Sequence, residues 1–97
     1  MAEQAQGNIT AALADYNQAI AIDPRQTEAL DGRGTIKARN GDVDGALADF
    51  NLAIEIDPGF VAAYQNRATA LRSKGDYAGA AADSKKVEML IEQGQAH

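Results

Sequence analysis

The side chains most able to do chemistry recur at a fixed spacing. Asp15, Asp49 and Asp83 lie 34 residues apart, as do Arg33 and Arg67. Arginine presents a planar fork of N–H donors that fits a carboxylate, so these residues could clamp the carboxylate of a ligand. They could also pair with one another, as a ladder of ion pairs that ties neighbouring helices together. We favour the ladder, because a ligand contact need not repeat with the period of the sequence.

Two further arrangements suggest metal or acid–base chemistry. Asn40–Gly45 resembles the start of an EF-hand calcium loop, but the position that should supply a bidentate glutamate is Asn51. The one histidine, His97, is the last residue, and terminal residues are usually mobile. The other carboxylates are typical of helix caps and solvated surface. We therefore expect no metal, no cofactor and no catalytic residue.

These residues belong to an internal repeat of 34 residues. Residues 7–24 and 41–58 are identical at 11 of 18 aligned positions, and a more divergent copy starts at Gly75. The intervening segments align in the same register. The predicted division is a truncated first helix or flexible N-terminus at 1–8, the second helix of a partial unit at 9–26, whole units at 27–60 and 61–94, and a tail at 95–97.

Each unit contains two segments with helical periodicity. In 43–56, apolar residues recur at steps of three and four, which is typical of one face of an α-helix. Asp42 can cap the first turn, and Asp57 precedes Pro58, which disfavours helical backbone in the residue before it. Segments 28–39 and 62–73 share one phase. We predict an all-α fold of about five antiparallel helices, each of roughly 12–16 residues.

This pattern resembles the tetratricopeptide repeat family, whose 34-residue unit reads W-x2-L-G-x2-Y, then A-x3-F, then P. The matching positions are Leu30, Arg33, Gly34, Lys37, Ala46, Phe50 and Pro58 in one unit, Tyr64, Arg67, Ala68, Leu71, Ala80, Ser84 and Glu92 in the next, and Ala12, Tyr16 and Pro24 in the half unit. Arginine takes the leucine position twice. The third unit lacks the aromatic residue and the Asp-Pro, as befits a terminal repeat. The resemblance implies a right-handed α–α superhelix of two and a half repeats.

The resemblance also implies a binding surface. In the family, the first helices of successive units line a concave groove that holds a peptide or protein partner. By position, the groove of this chain would be lined by Glu28, Asp31, Thr35, Arg39, Gln65, Asn66, Thr69 and Arg72. The set is polar and mixed in charge, so a merely solvated face is the alternative. Members that bind chaperone C-termini use a basic groove, and because only Asn66 matches that pattern we do not predict that ligand.

The half unit predicts a partly open apolar face. The helix at 9–22 lacks a complete partner on one side, which would leave Ile9, Leu13, Tyr16 and Ile20 partly exposed. A large exposed apolar patch usually marks an interface. We expect a chain that is cut from a longer solenoid or that forms a homo-oligomer through this face.

Composition disfavours several other functions. The net charge of −5 disfavours nucleic acid, whose binding is dominated by neutralisation of phosphates. No stretch is long and apolar enough to span a bilayer, and the absence of cysteine excludes thiolate chemistry. We predict a soluble, cytoplasmic, non-catalytic scaffold that binds a protein or peptide in its concave groove. The alternative is a structural module that self-assembles through the exposed faces of its end repeats.

Overall fold

The structure is a computed structural model that describes residues 2–97, with side chains from Gly7 onward. The described chain consists of five α-helices. The helices are α1 (Ala2–Ile22), α2 (Thr27–Arg39), α3 (Val43–Ile56), α4 (Val61–Ser73) and α5 (Tyr77–Glu92). Short loops join them, each helix packs against the next, and α2 also touches α4. The described residues contain no strand. The predicted all-α superhelical solenoid is confirmed.

The two turns inside the repeats have the same construction. Gly41 and Gly75 adopt φ values of 87° and 82°, a left-handed conformation that glycine enters without steric cost. The next residue in each turn is an aspartate that caps the following helix: Asp42 and Asp76 accept hydrogen bonds from the third residue beyond them, at 3.0 and 2.9 Å. The repeated Gly-Asp pair therefore ends one helix and begins its antiparallel partner.

Helix α1 begins earlier than the sequence predicted. We expected a truncated first helix or flexible N-terminus at 1–8 and a second helix from residue 9, but α1 runs from Ala2 through Gly7 without a break. The continuous helix satisfies the backbone groups around Gly7. The predicted boundary between residues 8 and 9 therefore does not coincide with a helix boundary. Met1 lies outside the described residues.

Small residues let the helices approach closely. Leu30 and Phe50 are the largest fully buried side chains, and most of the remaining core is alanine. A Cβ atom added at Gly34 of α2 would lie 2.6 Å from Cε1 of Phe50 in α3. This distance is too short for two carbon atoms in contact, so the glycine is required where the two helices of this unit meet.

The C-terminal residues fold back onto the loop between α3 and α4. Gly94, at φ 69°, ends α5. The N–H of His97 donates to the carbonyl of Gly59 at 2.9 Å, and Val61 donates to the carbonyl of His97 at 2.8 Å. The imidazole Nε2 lies 2.7 Å from Oδ1 of Asp57. The expectation of a mobile terminal histidine is wrong, because its backbone and its ring both have partners.

Candidate functional site

Arg33 links three consecutive helices. From α2, its Nε and Nη2 donate to the carboxylate of Asp49 in α3 at 2.8 and 2.7 Å. Its Nη1 donates to Oδ1 of Asn17 in α1 at 3.0 Å. Asp49 is buried, and Nζ of Lys37 approaches its second oxygen at 3.3 Å. The charge of the buried carboxylate is thus compensated by two cations.

Arg67 repeats this geometry one unit later. It donates to both oxygens of Asp83 in α5 at 2.9 and 2.6 Å, and to Oδ1 of Asn51 in α3 at 3.0 Å. Its guanidinium carbon also lies 5.6 Å from the ring centre of Tyr64, within the range of a cation–π contact. The predicted ladder of Arg–Asp pairs is confirmed.

The guanidinium groups of Arg33 and Arg67 are already engaged in hydrogen bonds within the chain. The hydrogen bond to Asp49 is the main cause of the raised pKa of Arg33, and the bond to Asp83 has the same effect on the pKa of Arg67. The paired donors that a ligand carboxylate would need are already bound to aspartates. The geometry favours the structural role of these arginines over a clamp.

A separate concavity lies between α2 and α4. Four of the predicted groove residues meet there, Thr35 and Arg39 from α2 and Asn66 and Thr69 from α4. The concavity has a volume of about 330 Å³, which is enough for one or two side chains of a partner. The side chain of Arg39 is exposed and makes no hydrogen bond or ion pair with any other part of the described chain. It is therefore a cation available to a ligand.

The pair Asp31–Asn66 joins α2 to α4 beside this concavity. Nδ2 of Asn66 donates to Oδ1 of Asp31 at 2.9 Å. Burial raises the pKa of Asp31, and the hydrogen bond from Asn66 opposes that rise. Asp31 therefore helps to fix the spacing of the two helices and is only half-exposed to a ligand.

The hydroxyl groups around the concavity offer acceptors. Thr35 donates to the carbonyl of Asp31 at 2.9 Å, and Thr69 and Ser73 donate to carbonyls one turn earlier in α4, both at 3.2 Å. Because each hydroxyl hydrogen is used within its own helix, these oxygens keep lone pairs that can accept further hydrogen bonds. They could accept hydrogen bonds from the backbone N–H groups of a peptide.

The other predicted groove residues lie elsewhere. Gln65 and Arg72 line a neighbouring hollow between α4 and α5, together with Thr69, and Nη2 of Arg72 lies 3.5 Å from the hydroxyl of Ser84. Glu28 lines a third hollow, between α1 and α2. Seven of the eight predicted residues thus line three hollows, two of which share Thr69, and Asp31 lies beside the first.

Sequence reasoning missed part of the lining. Ala38, Val43, Phe50, Ala70 and Ser73 complete the concavity with mostly apolar surface. Ser73 could have been found, since it is the repeat equivalent of Arg39. Val43 and Phe50 come from α3, and a prediction restricted to the first helix of each unit could not include them.

The residues predicted for self-association are partly used inside the chain. Ile20 packs against the core cluster around Leu30, and the ring of Tyr16 lies against Gly32 of α2. Ile9 and Leu13 are half-buried. Self-association through these four residues stays a prediction, but Ile20 at least faces α2 and not an open side of α1.

Both aspartates of the turn at Asn40–Gly45 have structural partners. Asp42 caps α3, and Asp44 forms an ion pair with Lys74. Among the residues with described side chains, no group of three or more histidine, aspartate or glutamate residues is arranged to hold a metal ion. These aspartates act as a cap and a surface ion pair.

Comparison with known proteins gives the family. Two family models described as tetratricopeptide repeat match residues 1–60 and 50–82. The chain belongs to the tetratricopeptide repeat family. Tetratricopeptide repeats are generally interaction modules without catalytic activity, which supports a protein-interaction or scaffold role for this chain.

Solved structures agree with the tetratricopeptide repeat fold. A crystal structure of MamA is 29% identical, with a TM-score of 0.84 over 90% of this chain and 51% of that chain. A second MamA structure is 28% identical, with a TM-score of 0.79 over 90% of this chain and 48% of that chain. The chain thus spans about half the length of these proteins. No curated protein matches it significantly, and none of its described helices is long and apolar enough to cross a membrane.

Proposed function

We propose that the concavity between α2 and α4 binds a segment of a protein partner. The observation that supports this most directly is the combination of the unpaired guanidinium of Arg39 with an apolar floor formed by Val43, Phe50 and Ala70. Binding sites usually combine an apolar surface with a few polar groups that fix orientation. The lone pairs of Thr35 and Thr69 would add such groups.

The chemistry of the lining favours an acidic group next to an apolar side chain in the partner. Arg39 would bind a carboxylate of the partner, and the apolar side chain would lie over Ala70. Although the whole chain carries a net charge of −5, charges beyond about 8 Å are largely screened at physiological salt. Arg39, which lines the concavity, therefore supplies the local positive charge at this surface, while the carboxylate of the neighbouring Asp31 is held by Asn66.

A displayed library of random peptides tests the proposal. We expect the selected peptides to contain aspartate or glutamate beside an apolar residue. Affinities for the selected peptides, measured by calorimetry, should fall about five- to fiftyfold in Arg39→Gln, since hydrogen bonds to charged groups contribute about 1.5–3 kcal/mol and this one is partly exposed. Arg72→Glu should have a smaller effect, because Arg72 lies in the neighbouring hollow.

Arg25→Gln is the matched control. Arg25 is exposed in the loop between α1 and α2, and its side chain has no partner among the described residues. The control removes the same charge without touching α2 or α4, so its affinity should equal that of the wild type. If Arg39→Gln and Arg25→Gln lost the same affinity for the peptides, the loss would come from the change in net charge alone. That result would contradict the proposed site.

A further inference from the structure

A second arginine lies next to the concavity between α2 and α4. The neighbouring hollow, between α4 and α5, has a volume of about 370 Å³. Its lining consists of Gln65, Ala68, Thr69, Arg72, Ser84 and Val87. Thr69 also lines the concavity that contains Arg39. The concavity and the hollow therefore adjoin on one surface, and each has an arginine in its lining.

The charge around these two spaces is positive, although the chain as a whole is acidic. The chain has 14 acidic and 9 basic residues, but none of the described residues that line the concavity or the hollow is an aspartate or a glutamate. Other hollows differ in this respect, since the one between α1 and α2 contains Asp15 and Glu28, and the one beside Arg67 contains Asp83. The charge of this surface is therefore complementary to an acidic ligand.

Arg72 is available to such a ligand, whereas Arg67 on the same helix is not. Arg67 donates to both carboxylate oxygens of Asp83. The side chain of Arg72 is exposed, and its contact within the described chain is from Nη2 to the hydroxyl of Ser84 at 3.5 Å, which is long for a hydrogen bond. Most of the donors of Arg72 are thus free to bind an anion.

The two spaces offer different groups to a ligand. Around the concavity, the hydroxyl hydrogens of the threonine and serine side chains are used within their own helices, so these oxygens act as acceptors. In the hollow, Arg72 shares the lining with the amide of Gln65 and the hydroxyl of Ser84, and both of these groups can donate. Donors that include a guanidinium bind a carboxylate more strongly than a neutral acceptor.

We propose that the partner segment carries two acidic side chains, one bound by Arg39 in the concavity and the second bound by Arg72 in the hollow between α4 and α5. This inference rests on the proposed function of the concavity. The second carboxylate accepts hydrogen bonds from Arg72, Gln65 and Ser84. The pair of arginines therefore selects partners by the spacing of two acidic residues.

The geometry of the helices restricts that spacing. Arg39 is the repeat equivalent of Ser73, which directly follows Arg72, and packed helices lie about 8–10 Å apart. In an extended segment, residues two or four positions apart point to the same side and lie about 7 or 13 Å apart. The long side chains of arginine and glutamate can cover the difference. Residues three positions apart point to opposite sides, so only one of them can reach this surface.

Synthetic peptides with blocked termini test the proposal by calorimetry with the full chain. Each peptide has ten residues, with one glutamate beside a leucine, a second glutamate two, three or four positions from the first, and serine elsewhere. We expect the second glutamate to raise the affinity about three- to tenfold at spacings of two and four, as is usual for a partly exposed charged pair, and to have little effect at a spacing of three. Arg72→Gln should remove this gain, but it should bind the peptide with a single glutamate nearly as well as wild type does.

Lys86→Gln is the matched control. Lys86 is exposed on α5 and lines neither the concavity nor the hollow, so its replacement removes one positive charge and should leave the gain unchanged. An equal gain at all three spacings, or a gain that Lys86→Gln removes or Arg72→Gln leaves, would overturn the proposal.

The same peptides separate this proposal from the proposed function. If the second glutamate gives no gain while Arg39→Gln still weakens the binding of the peptide with a single glutamate, the second acidic site is wrong and the proposed function of the concavity stands. If the binding of no peptide depends on Arg39, the proposed function is wrong, and the inference drawn from it is wrong as well.

Discussion

Arg67→Ala should destabilise the chain more than Arg33→Ala, although the two arginines occupy equivalent positions. Each substitution removes one partner of a buried aspartate and one hydrogen bond to an asparagine. Asp49 would keep Lys37, whose Nζ lies 3.3 Å away. Asp83 would keep no cation, because the equivalent of Lys37 is Leu71.

The expected loss of unfolding free energy follows from the burial of the two Arg–Asp pairs. Removing one member of a buried ion pair costs about 3–5 kcal/mol, since the remaining charge loses its compensation. The side chain of Arg67 is 24% exposed, so water can reach part of the vacated space, and we expect a loss of about 2–3 kcal/mol. For Arg33→Ala we expect about 1–2 kcal/mol, because Lys37 remains.

Urea unfolding followed by circular dichroism at 222 nm measures both losses. The double variant Arg67→Leu/Asp83→Leu should lie within about 1 kcal/mol of wild type, because exchanging a buried pair for apolar residues leaves no unpaired charge. Equal unfolding free energies for Arg33→Ala and Arg67→Ala would refute the role given to Lys37. A wild-type value for Arg67→Ala would refute the ladder as a source of stability.

Three further substitutions test other parts of the account. Gly7→Ala should raise the unfolding free energy by about 0.5–1 kcal/mol, because Gly7 lies inside α1 with open space around it. Gly41→Ala should lower the unfolding free energy, since Gly41 has a φ of 87°. A lower unfolding free energy for Gly7→Ala would contradict the placement of Gly7 inside a helix. Gly34→Ala should cost about 1–3 kcal/mol in the same assay, because the added methyl group would overlap Phe50, and a neutral result would mean that α2 and α3 are further apart. Burial raises the folded-state pKa of Asp31 above its ordinary value of 3.8, so the folded state binds this proton more tightly than the unfolded state. The unfolding free energy of wild type should therefore fall as pH rises from 3.8 through the raised pKa. Asp31→Asn should lack that fall, and parallel pH profiles of stability for the two proteins would contradict this prediction.

The repeat made most of the fold predictable. The 34-residue period placed α2, α3 and α4 to within one residue, since Gly-Asp and Asp-Pro signals mark the same points in successive units. The pairing of Arg33 with Asp49 was predictable for the same reason. The start of α1 was not, because α1 runs through Gly7, whereas the equivalent Gly41 and Gly75 lie in turns.

The candidate site was less predictable than the fold. Position in the repeat identifies which residues lie on the concave side, but it does not show that Asp31 is bound to Asn66 or that Glu28 lies in another hollow. The contributions of Val43 and Phe50 depend on how α3 packs beneath α2 and α4. The docking of His97 was also hidden, because it depends on a contact with Gly59 that lies outside the repeat pattern.

The stacking register of the helices underlies both the concavity between α2 and α4 and the ladder of Arg–Asp pairs. Nuclear Overhauser effects between aromatic rings and glycine α-protons test it directly, and the chain has only two phenylalanines and three tyrosines to assign. We expect strong cross-peaks from Phe50 to Gly34 and from Tyr16 to Gly32. Absence of both cross-peaks in the folded protein, with the same rings giving cross-peaks to other helices, would contradict the register.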